Sequence, residues 1–360
     1  MNNPTALPKT RLVTPSTIDL VSPSTIDLVR SMKCFSPTGF FNDGLTCYAN
    51  ASYHAIFNHH EVVAFLQQHG TRANPVTHQL KLLHDKYVGG NPLHRDPPVS
   101  ARKVLDALNQ ALQQRQEAFN RQAPPDQRRA ARLFLRQIPH DANEFIQSLF
   151  EIMLSESGSR GLPSVQIKTS TVCLGCQQSR KEGFGDVDCT APPETKSYKS
   201  VKLPLHDGRN RSIQSCWDNF VKSSPTDEWV CHEGQRDARQ SSARTEVDLV
   251  GSPPTLLIQL SRSPGTGAKD QRPVTISNEL VAGGTKYKLI SLILHDGNDI
   301  DDGHYRAAVS RHGKWYECND QTVTAITKAD SLAMTTSVYM AFYVKPYGHD
   351  NDSAICFDEE

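Results

Sequence analysis

Cys47 directly follows the turn GFFNDGLT (39–46) and opens the stretch CYANASYHAIFNHHEVVAFL, whose small and apolar residues recur with helical spacing. The first turn of a helix presents unpaired N–H groups and positive partial charge, which lowers a thiol pKa and raises the thiolate fraction. That placement suits a nucleophile, although a cysteine near a helix start is by itself more often a small core residue. Far downstream, Asp302-Gly303-His304-Tyr305 leads into one short strand, and the strand after it ends in Cys318-Asn319-Asp320. A histidine entering one strand of a hairpin and an asparagine leaving its partner can meet across the ladder. The three residues then supply a nucleophile, a base for its proton and a group that fixes the base's tautomer, as cysteine-dependent acyl transfer requires.

Two kinds of element must position these groups. Apolar residues at Val104, Leu105, Leu108 and Leu112 predict a one-sided helix with Ser100 as N-cap. A further helix, from Asp141 to about Leu154, buries Phe145, Ile146, Leu149 and Phe150, and Asp141 and Glu144 have capping-box spacing. The second half reads as strands: 255–261, 287–294, 305–310, 314–318 and 337–344, with a hairpin turn at Arg311-His312-Gly313. Residues 156–250 read as polar and irregular. Helices and strands are segregated, so the fold class is α+β, with a cleft between a helical and a strand-rich lobe.

Composition excludes several partners. The 360 residues carry 39 Lys+Arg against 39 Asp+Glu, a formal net charge of +0, and no basic excess points to nucleic acid. No apolar run approaches the length of a membrane span, and MNNPTALPKTRLV lacks the apolar core of a secretory signal. A cytoplasmic or nuclear protein is expected, in which the 9 cysteines act as thiols, ligands or a nucleophile rather than as a disulfide framework. Residues 1–35 read as a flexible tail containing the tandem repeat TPSTIDLV (14–21) and SPSTIDLV (22–29), and residues 349–360 as an acidic tail.

Longer motifs carry a resemblance. GFFNDGLTCYANASYHAIF (39–57) resembles the cysteine box of the ubiquitin-specific proteases, and DDGHYRAAVSRHGKWYECNDQTVT (301–324) resembles their histidine box. PHDANEFIQSLFEIM (139–153) is similar to the helix that family writes Gln-Gln-Asp-Ala-x-Glu-Phe, while PPTLLIQLSR (253–262) and SVYMAFYV (337–344) fit its palm strands. Order and spacing agree over roughly residues 36–346. The resemblance implies a papain-like catalytic domain over 36–348, with a helical thumb (about 39–155), a fingers insert (about 156–250) and a β palm (about 251–348). It implies a thiol-dependent deubiquitinase that cleaves after ubiquitin's C-terminal glycine and needs no cofactor. Cys47 would be the nucleophile, His304 the general base and Asn319 its orienting partner, with Asp320 as the fallback. Asn42 would be the oxyanion donor. Asp141 and Glu144 would grip the basic, Arg-containing tail of ubiquitin.

Departures from the family pattern point to altered substrate preference. Leu45 stands where the family usually has Asn, and Pro139-His140 replaces Gln-Gln. The fingers keep Cys173 and Cys176, but the second knuckle reads Cys231-His232-Glu233-Gly234 and lacks a fourth thiolate. A degenerate knuckle without metal is expected. Ile18-Asp19-Leu20-Val21 and Ile26-Asp27-Leu28-Val29 are similar to apolar-acidic motifs that bind SUMO by strand addition, so SUMO is a candidate second partner. A SUMO isopeptidase on the same scaffold and a non-catalytic ubiquitin-binding pseudo-protease are the alternative functions.

Overall fold

The computed structural model describes residues 36–88, 98–173, 191–205, 211–222, 224–226, 243–263, 269–299 and 302–346. Both terminal segments, the IDLV repeat, Cys176 and Cys231 lie outside these residues, so the SUMO and zinc expectations do too.

Five helices form the first lobe: α1 (Cys47–Phe57), α2 (His60–His69), α3 (Pro75–Val88), α4 (Arg102–Gln122) and α5 (Ala142–Ser157). Every residue of α1 is buried. Small residues (Ala49, Ala51, Ala55) let neighbours approach closely, and Tyr48, Tyr53 and Phe57 fill the space around it, so α1 is the axis of the lobe. The helix expected to be capped by Ser100 instead begins at Arg102, with Ala101 as N-cap. Pairing of Val99 with the Gly39–Phe41 segment (Val99 N to Gly39 O 2.9 Å, Phe41 N to Val99 O 3.1 Å) keeps the chain extended past the expected start. Asp141 caps α5 as expected, its carboxylate accepting from the Glu144 N–H at 2.8 Å. The reciprocal half of the box is replaced by an ion pair between Glu144 and Arg132 at 2.5 Å. Gly158 ends the helix in the left-handed region, φ 65°.

Residues 156–250, expected to be irregular, contain a four-stranded antiparallel sheet in the order β2-β1-β5-β4, with β1 at Val165–Cys173, β2 at Ala191–Tyr198, β4 at Ser224–Thr226 and β5 at Ala243–Leu249. The alternation that would have revealed β1 is blurred because five consecutive residues of the strand are half-buried. The same stretch also contributes β3 (Val201–Pro204), which pairs parallel to β6 in the large sheet, and helix α6 (Ile213–Val221).

The large sheet has eight strands. Besides β3 these are β6 (Thr255–Ser261), β7 (Glu279–Ala282), β8 (Thr285–Asp296), β9 (His304–Arg311), β10 (Lys314–Asn319), β11 (Thr322–Ile326) and β12 (Val338–Val344), with a short helix α7 (Lys328–Ala333) before the last. Its order is β11-β10-β9-β8-β12-β6-β3, with β7 added on β8. Both faces are covered. Leu257, Ile293, Val309, Met340 and Phe342 pack against the helical lobe, while Leu256, Ile258, Leu292, Ala341 and Tyr343 pack with Trp217 of α6 in a second core. Period-two side chains facing two cores make these strands apolar throughout. The architecture is α+β.

Candidate active site

The turn before α1 is fixed by its own side chains and by one glycine. Asn42 Oδ1 accepts from the Thr46 N–H at 3.0 Å and from its hydroxyl at 3.2 Å, which folds the loop back onto the helix start. Gly44 has φ 105°, and a Cβ there would stand 2.5 Å from the Arg136 carbonyl oxygen, so only glycine fits. Leu45 N–H donates to that carbonyl at 2.6 Å, and Arg136 pairs with Asp43 at 2.7 Å. Cys47 is thereby held as the first residue of α1, buried at 8% exposure.

The opposite wall comes from the β9–β10 hairpin. Its turn has His312 and Gly313 at φ 50° and 74°, as a tight hairpin of this hand needs. The ladder ends at Cys318 paired with Ala307, one position short of Asn319, and His304 lies at the open end of β9. There His304 Nε2 is bonded to Asn319 Oδ1 at 2.7 Å, and the ring lies near enough to Cys47 for the thiol to raise its proton affinity. These contacts push the His304 pKa up to about 9. The interaction with Cys47 is the largest cause, the Asn319 bond and the charges of Cys47 and Asp320 add to it, and burial opposes it.

Asp320 does something else. It occupies the β10–β11 turn with φ 48°, a left-handed conformation that aspartate tolerates better than most residues. Its Oδ2 accepts from Asn42 Nδ2 at 2.8 Å and its Oδ1 from Asn50 Nδ2 at 2.8 Å, while His304 Nε2 is 3.9 Å away. Asn50, one turn along α1 from Cys47, also donates to the Phe41 carbonyl at 3.2 Å. Sequence alone offers Asp320 only as a substitute for Asn319 and assigns Asn50 no role. An Asn on the same helix face as Cys47, at i+3, was the available signal.

Asp141 and Glu144 lie apart from this cluster. They line a cleft of about 620 Å³ between α5, the smaller sheet and the large sheet, together with Gln259, Tyr339, His295 and Tyr305. Tyr305 of this lining directly follows His304 in β9. His295 packs its ring 4.5 Å from Tyr305, and burial holds its pKa down to about 4. Burial pushes the Glu144 carboxyl up, against the pull of Arg132. Leu45, Leu135 and Ile138 are exposed large apolar side chains. His140 is enclosed by the Tyr48 and Phe134 rings and accepts from the Leu135 N–H at 2.8 Å. No group of three or more metal-ligating side chains occurs among the described residues, and no helix among them is long and apolar enough to cross a membrane.

The ubiquitin carboxyl-terminal hydrolase family profile matches residues 38–343. Among relatives, ubiquitin carboxyl-terminal hydrolase 17-like protein A of Mus musculus is 29% identical over 187 residues, which is 48% of this chain and 32% of the relative. Ubiquitin carboxyl-terminal hydrolase 26 of Arabidopsis thaliana is 24% identical over 323 residues, 81% of this chain and 26% of the relative. The match thus spans about a third or less of either relative's length. The SAGA deubiquitinating module of Ubp8, Sgf11, Sus1 and Sgf73 bound to monoubiquitin superposes with TM-score 0.62 at 18% identity, covering 87% of this chain and 70% of that one. That likeness establishes the papain-like fold. With the profile covering both lobes and both halves of the site, the chain belongs to the ubiquitin carboxyl-terminal hydrolase family.

Proposed function

We propose that the protein is a thiol-dependent deubiquitinase that hydrolyses the isopeptide or peptide bond after the C-terminal glycine of ubiquitin. The observation that carries the reading is His304, bonded to Asn319 at 2.7 Å and held at a raised pKa chiefly by Cys47, in a molecule whose cleft bears Asp141 and Glu144.

With Nε2 engaged by Asn319, Nδ1 exchanges the proton with sulfur. The Cys47 thiolate attacks the scissile carbonyl, and the second Asn42 amide hydrogen, the first being taken by Asp320, donates to the developing oxyanion. The His304 imidazolium gives its proton to the departing lysine amine as the C–N bond breaks and a thioester forms. Neutral His304 then takes a proton from water. The resulting hydroxide displaces sulfur and releases ubiquitin's carboxylate, restoring the thiolate–imidazolium pair. Asp141 and Glu144 place carboxylates where an arginine-bearing tail enters, and this favours ubiquitin over a modifier lacking tail arginines.

SUMO is a second reading, for which the duplicated IDLV segment speaks. It predicts chemical-shift changes in SUMO titrated with a peptide spanning residues 12–30. The pseudo-protease alternative has no use for the Cys47–His304–Asn319 alignment. Fluorogenic ubiquitin and SUMO C-terminal amides, run side by side, test the proposal: turnover of the ubiquitin amide that Cys47→Ala abolishes supports it. Turnover of the SUMO amide alone would move the protein to the other modifier.

A further inference from the structure

Five hydrogen bonds run in one direction through the floor of the cleft. Gln147 Nε2 donates to Ser200 Oγ at 3.1 Å, Ser200 Oγ to Asn143 Oδ1 at 2.7 Å, and Asn143 Nδ2 to Gln259 Oε1 at 2.9 Å. Gln259 Nε2 then donates to the Tyr339 hydroxyl, and that hydroxyl donates to Asp141 Oδ2. Ser200, Asn143, Gln259 and Tyr339 are each at most 8% exposed. The chain starts and ends on α5, crossing β6 and β12 on the way. Its last acceptor is the only carboxylate in it, and Asp141's other oxygen is held by the Glu144 N–H.

Aligned donors polarise one another, and a carboxylate at the end of such a run is fixed in orientation without losing its charge. Burial and the Asp141 charge push the Tyr339 hydroxyl pKa far up, so it remains a donor. A helix cap needs only Asp141's Oδ1. The relay serves the other oxygen of this cleft-lining residue.

We propose that Tyr339, the last donor of this relay, is a positioning residue that aims the Asp141 carboxylate at an arginine of the ubiquitin tail. The inference rests on the deubiquitinase reading and adds to it which groups fix the affinity for that tail. Calorimetric binding to the full chain carrying Cys47→Ala, with and without Tyr339→Phe, tests it against two ligands: ubiquitin, and ubiquitin whose tail arginines are replaced by alanine.

Tyr339→Phe is expected to weaken ubiquitin binding about tenfold, as loss of a hydrogen bond to a charged group does. It should leave binding of the arginine-free ubiquitin within about twofold. Equal weakening for both ligands would mean a purely structural role and overturn the inference, while the deubiquitinase reading would stand. If the chain without Tyr339→Phe is indifferent to the tail arginines, both fall. Should Tyr339→Phe not fold, Gln259→Met, one link upstream, is held to the same arginine dependence.

Discussion

Asn42 and Asp320 are joined by a 2.8 Å hydrogen bond from Nδ2 to Oδ2. The same carboxylate bonds Asn50 and stands 3.9 Å from His304, so the two neighbours at the end of β10 divide their tasks: Asn319 holds the imidazole and Asp320 holds the turn carrying Asn42, the proposed oxyanion donor. Adjacent residues in an extended strand point to opposite sides, and the left-handed turn at Asp320 brings its carboxylate back to the thiol loop.

Removing one oxyanion donor costs roughly 10²–10³ in kcat. Asn42→Ala should lose about that much on a ubiquitin amide substrate. Asp320→Ala should also lower kcat, and the double variant should be no worse than Asn42→Ala alone. Additive losses would separate Asp320 from the amide.

The pH dependence follows from His304. Its folded pKa of about 9 lies above the ordinary 6.5, so the charged ring's contribution to stability is complete below about 6.5 and is lost as pH rises through about 9. Activity should fall over the same upper range as the imidazolium deprotonates. Because the sulfur is the largest cause of the shift, Cys47→Ala should bring the His304 midpoint, followed by the imidazole NMR signal, down toward 6.5. A midpoint unmoved by that substitution would contradict the proposed pair.

Arg132 pairs with Glu144 at 2.5 Å, and its side chain is 78% exposed. A substrate arginine has to share or displace it. Exposed pairs are weak, so Arg132→Ala should lower KM only about two- to fivefold and leave kcat unchanged. A raised KM would show that Arg132 supports the site instead.

Gly39 touches the β10–β11 turn. A Cβ there would lie 2.3 Å from the Gln321 carbonyl oxygen, next to the Phe40 N–H that donates to the Asp320 carbonyl at 2.8 Å. Gly39→Ala must push the thiol loop away from Asn319 and Asp320. The expected result is a loss of activity larger than the loss of thermal stability, read by kcat/KM and by a melting curve.

Much of this site was legible because each half is local. The Cys47 turn and helix and the His304–Asn319 hairpin are short motifs with their own periodicity and turn residues. The palm strands were equally plain, since Leu256 to Leu260 and Val338 to Val344 pack apolar side chains on both faces. The smaller sheet was not, because its half-buried strands lack clean alternation. The roles of Asp320, Tyr339 and Arg132 depend on partners supplied by tertiary folding, 278 positions away for Asp320 and Asn42 and 198 for Tyr339 and Asp141. No local pattern specifies such pairings.

Reaction with a ubiquitin C-terminal electrophile, followed by peptide mass mapping, tests the central claim most directly. The account predicts a single adduct on Cys47 that forms far more slowly in His304→Ala. An adduct on any other cysteine, or labelling indifferent to His304, would contradict it.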